Sequence, residues 1–186
     1  MRKNKIILRK MKLNDLDAYY ELTHPSRAYH QFNGPYFKKQ TESELKVKLQ
    51  EWRISFESGD LSFINNRMLI VDGVTDVLIG EVSWYWKSEE TNWMEIGIVI
   101  FNDAYWGKGI GYVALQKWID HLFAEFPELV RLGLTTWSGN KRMMQLSEKL
   151  GMKLEAVYRN ARIVAAVYYD SISYGVLKPE WLERVE

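Results

Sequence analysis

Residues 101–111 read Phe-Asn-Asp-Ala-Tyr-Trp-Gly-Lys-Gly-Ile-Gly, with glycines alternating at 107, 109 and 111. The apolar run Trp93–Phe101 enters this stretch and reads as a strand. An amphipathic pattern leaves it, placing Ile110, Val113, Ala114, Trp118 and Leu122 on one side of a helix over 109–124. Glycine permits positive φ and close backbone approach. The N–H groups at a helix start are unpaired, and the helix dipole favours negative charge there. The chemistry indicated is binding of a phosphate or pyrophosphate. The dinucleotide fingerprint G-x-G-x-x-G fails, because residue 112 is Tyr. A Walker A string is absent from the sequence.

The flanking chain supplies the rest of a layered domain. Residues 5–11 read as a strand. A helix follows from Asn14, with Leu16, Tyr19, Tyr20 and Leu22 at helical spacing, and His24-Pro25-Ser26 stops it. Phe32–Gln40 is a loop. Thr41-Glu42-Ser43-Glu44 has capping-box spacing before the stripe Leu45, Leu49, Trp52, Phe56. Strands are expected over 67–71, 77–85, 93–101 and 132–136. A helix over 140–150 is stopped by Gly151. Final strands over 152–161 and 165–177 end near Lys178-Pro179. The order β-α-α-β-β-β-α-β-α-β-β predicts an α/β (α+β) layered fold with a mostly antiparallel sheet.

Composition narrows the function classes. The 186 residues suit a single domain spanning 1–186. Lys and Arg total 25 against 24 Asp and Glu, a formal charge of +1, which argues against a dedicated nucleic-acid binder. Cysteine is absent, which removes disulfides, thiolate zinc sites and cysteine nucleophiles together. The three histidines, His24, His30 and His121, show no metal-ligand spacing, so no metal is expected. The apolar run Ile6-Ile7-Leu8 is too short for a signal peptide, and no membrane span is expected. A cytoplasmic protein is the expectation.

Tyr105-Trp106-Gly107-Lys108-Gly109-Ile110-Gly111 resembles the acyl-CoA motif of the GNAT acetyltransferases, Gln/Arg-x-x-Gly-x-Gly/Ala. The helix beginning at Asn140 and ending Lys149-Leu150-Gly151-Met152 resembles the second signature of that family. The closing segment, with Arg159–Ile163, Tyr168–Ile172 and Tyr174–Leu177, is similar to the Rim-type branch of ribosomal-protein N-terminal acetyltransferases. The resemblance spans residues 5–181. It departs from the family at Trp106, which stands at the Gln/Arg position, and at Met143, where many members carry Ser. Residues 140–150 contain no Tyr, so no general acid is assigned.

The resemblance implies a GNAT-like layered domain. Its seven-stranded sheet would splay between the fourth and fifth strands, 93–101 and 132–136, with about four helices around it. Acetyl-CoA, as co-substrate, would pair its pantetheine arm with backbone groups of Ile98, Val99 and Ile100. Its pyrophosphate would rest on the N–H groups of Trp106, Gly107, Lys108, Gly109, Ile110 and Gly111. Lys108 adds charge or is a solvated surface lysine. Asn140 matches the family residue that bonds the pantetheine arm, and it is equally suited to capping a helix. The implied activity is N-acetyl transfer to a primary amine by direct attack in a ternary complex. The amine is a protein N-terminus, or a small molecule such as a polyamine, an aminoglycoside or an amino acid. A non-catalytic acyl-CoA-binding module is the alternative from another class. A homodimer fits the branch.

Glu95 is the candidate base. A carboxylate in an apolar strand costs energy unless it is paired or has a task. Alternation puts Trp93, Glu95 and Gly97 on one face. The competing role for Glu95 is to face solvent or pair with an arginine. Trp84 and Trp86 share a face, as core packing or as an acceptor wall. Glu89 and Glu90 would favour a cationic acceptor. Asp170 reads as a structural hydrogen-bonding residue.

Overall fold

Alternating apolar residues build seven strands that form one sheet in the computed structural model, which describes residues 5–184. The strands are β1 (Ile6–Arg9), β2 (Arg67–Asp72), β3 (Leu78–Ser88), β4 (Trp93–Ile100), β5 (Arg131–Trp137), β6 (Lys153–Val164) and β7 (Val167–Leu177). Their order across the sheet is β1-β2-β3-β4-β5-β7-β6. The pairs β1–β2, β2–β3, β5–β7 and β6–β7 are antiparallel, whereas β4 and β5 run parallel. The β4–β5 ladder covers Met94–Leu132 and Glu95–Gly133. The helices are α1 (Leu16–Thr23), α2 (Glu42–Ser58), α3 (Ile110–Glu125), α4 (Lys141–Lys149) and α5 (Lys178–Glu183). The ends of the expected domain, residues 1–4 and 185–186, lie outside the described residues.

By their contacts the described residues divide into two compact units, one running up to residue 83 with 98–110, the other 84–97 with the chain from 111 on. The first unit is built on an aromatic core. Leu45, Leu49 and Trp52 of α2 pack with Leu16 and Tyr19 of α1, Leu69 and Val71 of β2, and Phe101. Tyr19 meets Trp52 and Phe101 with ring centroids at 5.4 Å in both cases. The expected capping box starts α2. Thr41 Oγ1 accepts from the Glu44 N–H at 3.2 Å, and Glu44 accepts from the Thr41 N–H at 2.7 Å. The first strand is shorter than expected, its pairing with β2 ending at Arg9 opposite Leu69, and Leu13–Asp15 forms a 3-10 turn before α1.

The second unit carries α3, α4 and α5. Ala114, Leu115, Trp118, Ile119, Leu122 and Phe123 of α3 are buried, whereas Val113, expected on the apolar side, is exposed. A fifth helix stands where the chain was expected to leave the last strand. Pro179 lies in its first turn, where its missing N–H costs nothing, and Glu180 accepts from the Leu177 N–H at 3.0 Å. Trp181 fixes this helix, 1% exposed, with its Nε1 donating to Asp120 at 2.7 Å. The indoles of Trp84 and Trp86 meet Phe126 at 5.4 and 5.9 Å, so both serve packing. Asp170 is structural: its Oδ1 accepts from the Asn160 N–H at 2.9 Å where β6 shifts register.

Candidate active site

In the first unit, β4 ends at the glycine turn. Ile98, Val99 and Ile100 are half-buried, although Met94 and Ile96 earlier in the strand are buried. A short 3-10 turn, Asp103–Tyr105, follows, and Asn102 caps it by accepting from the Ala104 N–H at 3.0 Å. Trp106 turns its indole back along the strand. Its Nε1 donates to the Ile100 carbonyl at 2.9 Å, and its ring packs on Phe32 at 5.6 Å. The residue at the family's Gln/Arg position therefore braces the turn against the strand end.

Gly107 and Gly109 have φ of +70° and +76°, a region costly for residues with a Cβ. A Cβ built on either meets nothing within 4 Å. The space before these backbone atoms is open, and Ile110 then begins α3. Alternating positive φ, open space and a helix start are the features a pyrophosphate cradle requires. Lys108 is exposed, with Nζ 5.6 Å from the Tyr105 ring. Gly111 lies in the first turn of α3.

In the second unit, Glu95 sits in a polar network on one face of the sheet. Its side chain is 4% exposed. Tyr85 donates its hydroxyl to Oε2 at 2.6 Å, and Lys87 donates from Nζ to Oε1 at 3.0 Å. Thr135 of β5 also bonds it. Thr135 Oγ1 stands 3.1 Å from Ser173 Oγ of β7. An ionised carboxylate only accepts, so Thr135 gives its proton to Glu95 and Ser173 donates to Thr135. Burial, the largest single influence, pushes the Glu95 carboxyl up. The bonds from Tyr85, Lys87 and Thr135 together outweigh it and hold the group below its ordinary value. Lys87 and Arg131 both face the Trp93 ring, at 4.6 and 5.2 Å from its centroid, and Arg131 bonds Glu155. Neither solvent nor an arginine is the partner of Glu95; the cation is a lysine.

Asn140 is the N-cap of α4. Its Oδ1 accepts from the Met143 N–H at 3.2 Å. Ser147, one turn after Met143, spends its hydroxyl on the Met143 carbonyl at 3.0 Å. His24 lies 3.5 Å from Glu42, His30 stacks on Tyr29 at 4.1 Å, and His121 stacks on Trp118 at 5.3 Å. Among the described residues no group of three or more His, Cys, Asp or Glu is placed to hold a metal ion. No helix among them is long and apolar enough to cross a membrane.

Residues 5–153 match the acetyltransferase (GNAT) domain family. The chain belongs to the GNAT acetyltransferase family. It is an acyl-CoA-dependent N-acetyltransferase. A Bacillus licheniformis protein described as the uncharacterized N-acetyltransferase p20 is 25% identical over 179 residues, covering 95% of each chain. A spermidine N-acetyltransferase from Vibrio cholerae, solved with CoA and spermine, superposes with a TM-score of 0.74 at 19% identity, over 96% of this chain and 98% of that one. RimL, a ribosomal L7/L12 alpha-N-protein acetyltransferase solved with coenzyme A, superposes with a TM-score of 0.69 at 16% identity, over 92% and 93%. These two likenesses extend the GNAT fold over nearly the whole chain.

Sequence reasoning reached Glu95 in this GNAT chain but missed Tyr85, Lys87 and Thr135 around it. A signal for two of them was present. Tyr85 and Lys87 alternate with Trp84 and Trp86, which puts them together on the face opposite the two indoles, in the strand that precedes Glu95. Thr135 lies 40 positions on, and only the β4–β5 pairing, Glu95 opposite Gly133, brings its strand alongside.

Proposed function

We propose that this enzyme moves an acetyl group from acetyl-CoA to the α-amine of a protein N-terminus, by direct attack in a ternary complex. The backbone of Ile98, Val99 and Ile100 is the assigned partner of the pantetheine arm. The N–H groups of Trp106, Gly107, Lys108, Gly109, Ile110 and Gly111 receive the pyrophosphate. Asn140 adds a contact to the pantetheine arm beside its capping bond. The open, positive-φ glycines at 107 and 109 support this cradle. The sequence holds no cysteine, so direct transfer replaces any route through an acyl-cysteine. In this reading residues 1–186 act as a single acetyltransferase domain in the cytoplasm.

The observation that carries the choice of acceptor is the environment of Glu95. As the base of this reading, it is a carboxylate held below its ordinary value and hence a weak one. A weak base suits an amine that is partly neutral already. An α-amino group has a pKa near 8, against about 10.4 for a side-chain amine. At neutral pH roughly a tenth of the former is neutral and well under a thousandth of the latter. The competing reading is a polyamine acceptor, favoured by the exposed Glu89 and Glu90 at the β3–β4 turn.

Thiol release from acetyl-CoA, measured with peptides bearing free N-termini and separately with spermidine, tests this reading. Faster release with the peptides, and mass spectra placing the acetyl group on their α-amine, are expected. Turnover of spermidine alone makes the enzyme a polyamine acetyltransferase. Absence of release with every amine makes it an acyl-CoA-binding module. Glu95→Gln is expected to lower kcat/KM most at low pH with little change in acetyl-CoA binding. An unaltered pH–rate profile removes Glu95 from the role of base.

A homodimer belongs to the same reading. Edge strand β6 and its partner β7 expose Leu154, Val157, Tyr158, Ile163, Val167 and Tyr168, each 46% or more accessible. A second copy covering them would relieve both the apolar exposure and the open strand edge. Light scattering at micromolar concentration decides between monomer and dimer.

A further inference from the structure

Glu95 is too deep in the sheet to meet an acceptor directly, since only 4% of its side chain is accessible. Its neighbours differ in what they can pass to it. Lys87 is an ammonium, with three donors and no lone pair to receive a proton. Thr135 is half-buried and tied to Ser173. Tyr85 is 51% exposed, and its hydroxyl lies 2.6 Å from Oε2. A phenol both gives a proton and accepts one. Tyr85 thus joins the open face of β3 to the buried carboxylate. Lys87 holds Oε1, while Oε2 is the oxygen that Tyr85 reaches.

We propose that Tyr85 is the catalytic residue that touches the acceptor, taking a proton from the attacking amine while passing its own proton to Glu95. This rests on the amine-acetylating function argued above. The amine nitrogen bonds to the thioester carbonyl carbon, the carbon–sulfur bond breaks, and CoA leaves as the thiolate. One amine proton moves to the Tyr85 oxygen, and the Tyr85 proton moves to Oε2 of Glu95. Glu95 returns that proton to water, and the thiolate takes one from water. Atoms and charge balance without a further reagent. Attack gives the nitrogen a positive charge and makes its proton acidic, so a weakly basic carboxylate suffices as its final acceptor on the protein.

Tyr85→Phe tests this, because it removes one oxygen from a half-exposed ring. The probe is glycinamide, a small α-amine, used with two readouts. In turnover with acetyl-CoA, kcat is expected to fall about 100-fold with the KM for acetyl-CoA unchanged. Tyr85→Phe/Glu95→Gln is expected to be no slower than the slower single variant, as for two members of one relay. A kcat within twofold of wild type, or additive losses, overturns the proposal. The second readout needs no chemistry. With 13C-labelled glutamate, adding glycinamide is expected to shift the Glu95 carboxyl resonance in the wild type and leave it unmoved in Tyr85→Phe. An equal response in both proteins, or none in the wild type, overturns the proposal. Wild-type inactivity toward every amine, with the resonance still responding through Tyr85, sinks the acetyltransferase reading and leaves the contact of Tyr85 with amines standing.

Discussion

The side chain of Glu95 lies across Gly133 of the neighbouring strand. A Cβ placed on Gly133 would stand 3.2 Å from Cγ of Glu95 and 3.7 Å from its Oε1. The missing side chain of Gly133 is therefore the space in which Glu95 reaches Lys87, Tyr85 and Thr135. Glu155 repeats the arrangement over Gly175. On this sheet face, two carboxylates rest on two glycines.

The first prediction follows from that packing. Gly133→Val suits strand backbone, yet its branched carbon occupies the place of the Glu95 stem. Glu95 is displaced from its donors, and its carboxyl is left buried with fewer bonds. Its pKa is expected to rise, seen as an upward-shifted titration of its 13C carboxyl resonance. Thiol release is expected to fall about 10- to 100-fold, while far-UV circular dichroism keeps its native form. An unshifted titration would show that Glu95 is held by something other than this space.

Glu95 also makes stability depend on pH with a definite sign. Its folded pKa is depressed, so the unfolded chain binds its proton more readily. The stabilisation is complete above the unfolded value of about 4.3 and is lost as pH falls through the lower folded value. Glu95→Gln removes this dependence. Urea unfolding from pH 7 to pH 3 is expected to show wild type losing stability relative to Glu95→Gln only at the acid end. A constant difference across that range would contradict the depressed pKa.

Much of this fold was legible because local chemistry and tertiary structure agree. The capping box at Thr41 and Glu44, the glycine turn and the Asn140 cap each state their geometry in a few adjacent residues. Two features were hidden for physical reasons. The hairpin joining β6 and β7 turns at Ala165-Ala166, which carries none of the glycine, asparagine or aspartate that normally marks such a turn. The break between these strands was accordingly expected three residues early, near the bulge at Asn160. Helix α5 was hidden because Lys178-Pro179 reads equally as a strand end or as a first helical turn. At the site, Glu95 was legible as a charge in an apolar strand. Its donor Thr135 was not, because parallel pairing between distant strands leaves no local trace.

Trp181 tests whether the unforeseen helix α5 carries weight. It is 1% exposed, bonds Asp120 through Nε1, and has the Arg184 guanidinium 3.4 Å from its ring centroid. Trp181→Ala is expected to cost about 3–5 kcal/mol through the cavity it leaves. Trp181→Phe keeps most of the volume and loses the bond to Asp120, an exposed residue that water can satisfy; it is expected to cost about 1 kcal/mol. Urea melts of both variants check the ranking. Equal losses would show that the hydrogen bond, and not packing, holds the helix.

The last prediction is a gain. Ala165 and Ala166 have φ of +48° and +63°, the left-handed region, as a two-residue turn between Val164 and Val167. An L residue with a Cβ pays about 1 kcal/mol or more for that conformation. Asparagine tolerates it better, and glycine avoids the clash altogether. Ala165→Asn/Ala166→Gly is therefore expected to stabilise the protein by about 1–2 kcal/mol, offset in part by the entropy glycine adds to the unfolded chain. At this chain length that corresponds to a rise in Tm of about 2–8 °C by calorimetry. Ala166→Val, which sets a branched carbon in the same conformation, is expected to lower Tm. If both variants move Tm in the same direction, the turn is not left-handed at these residues.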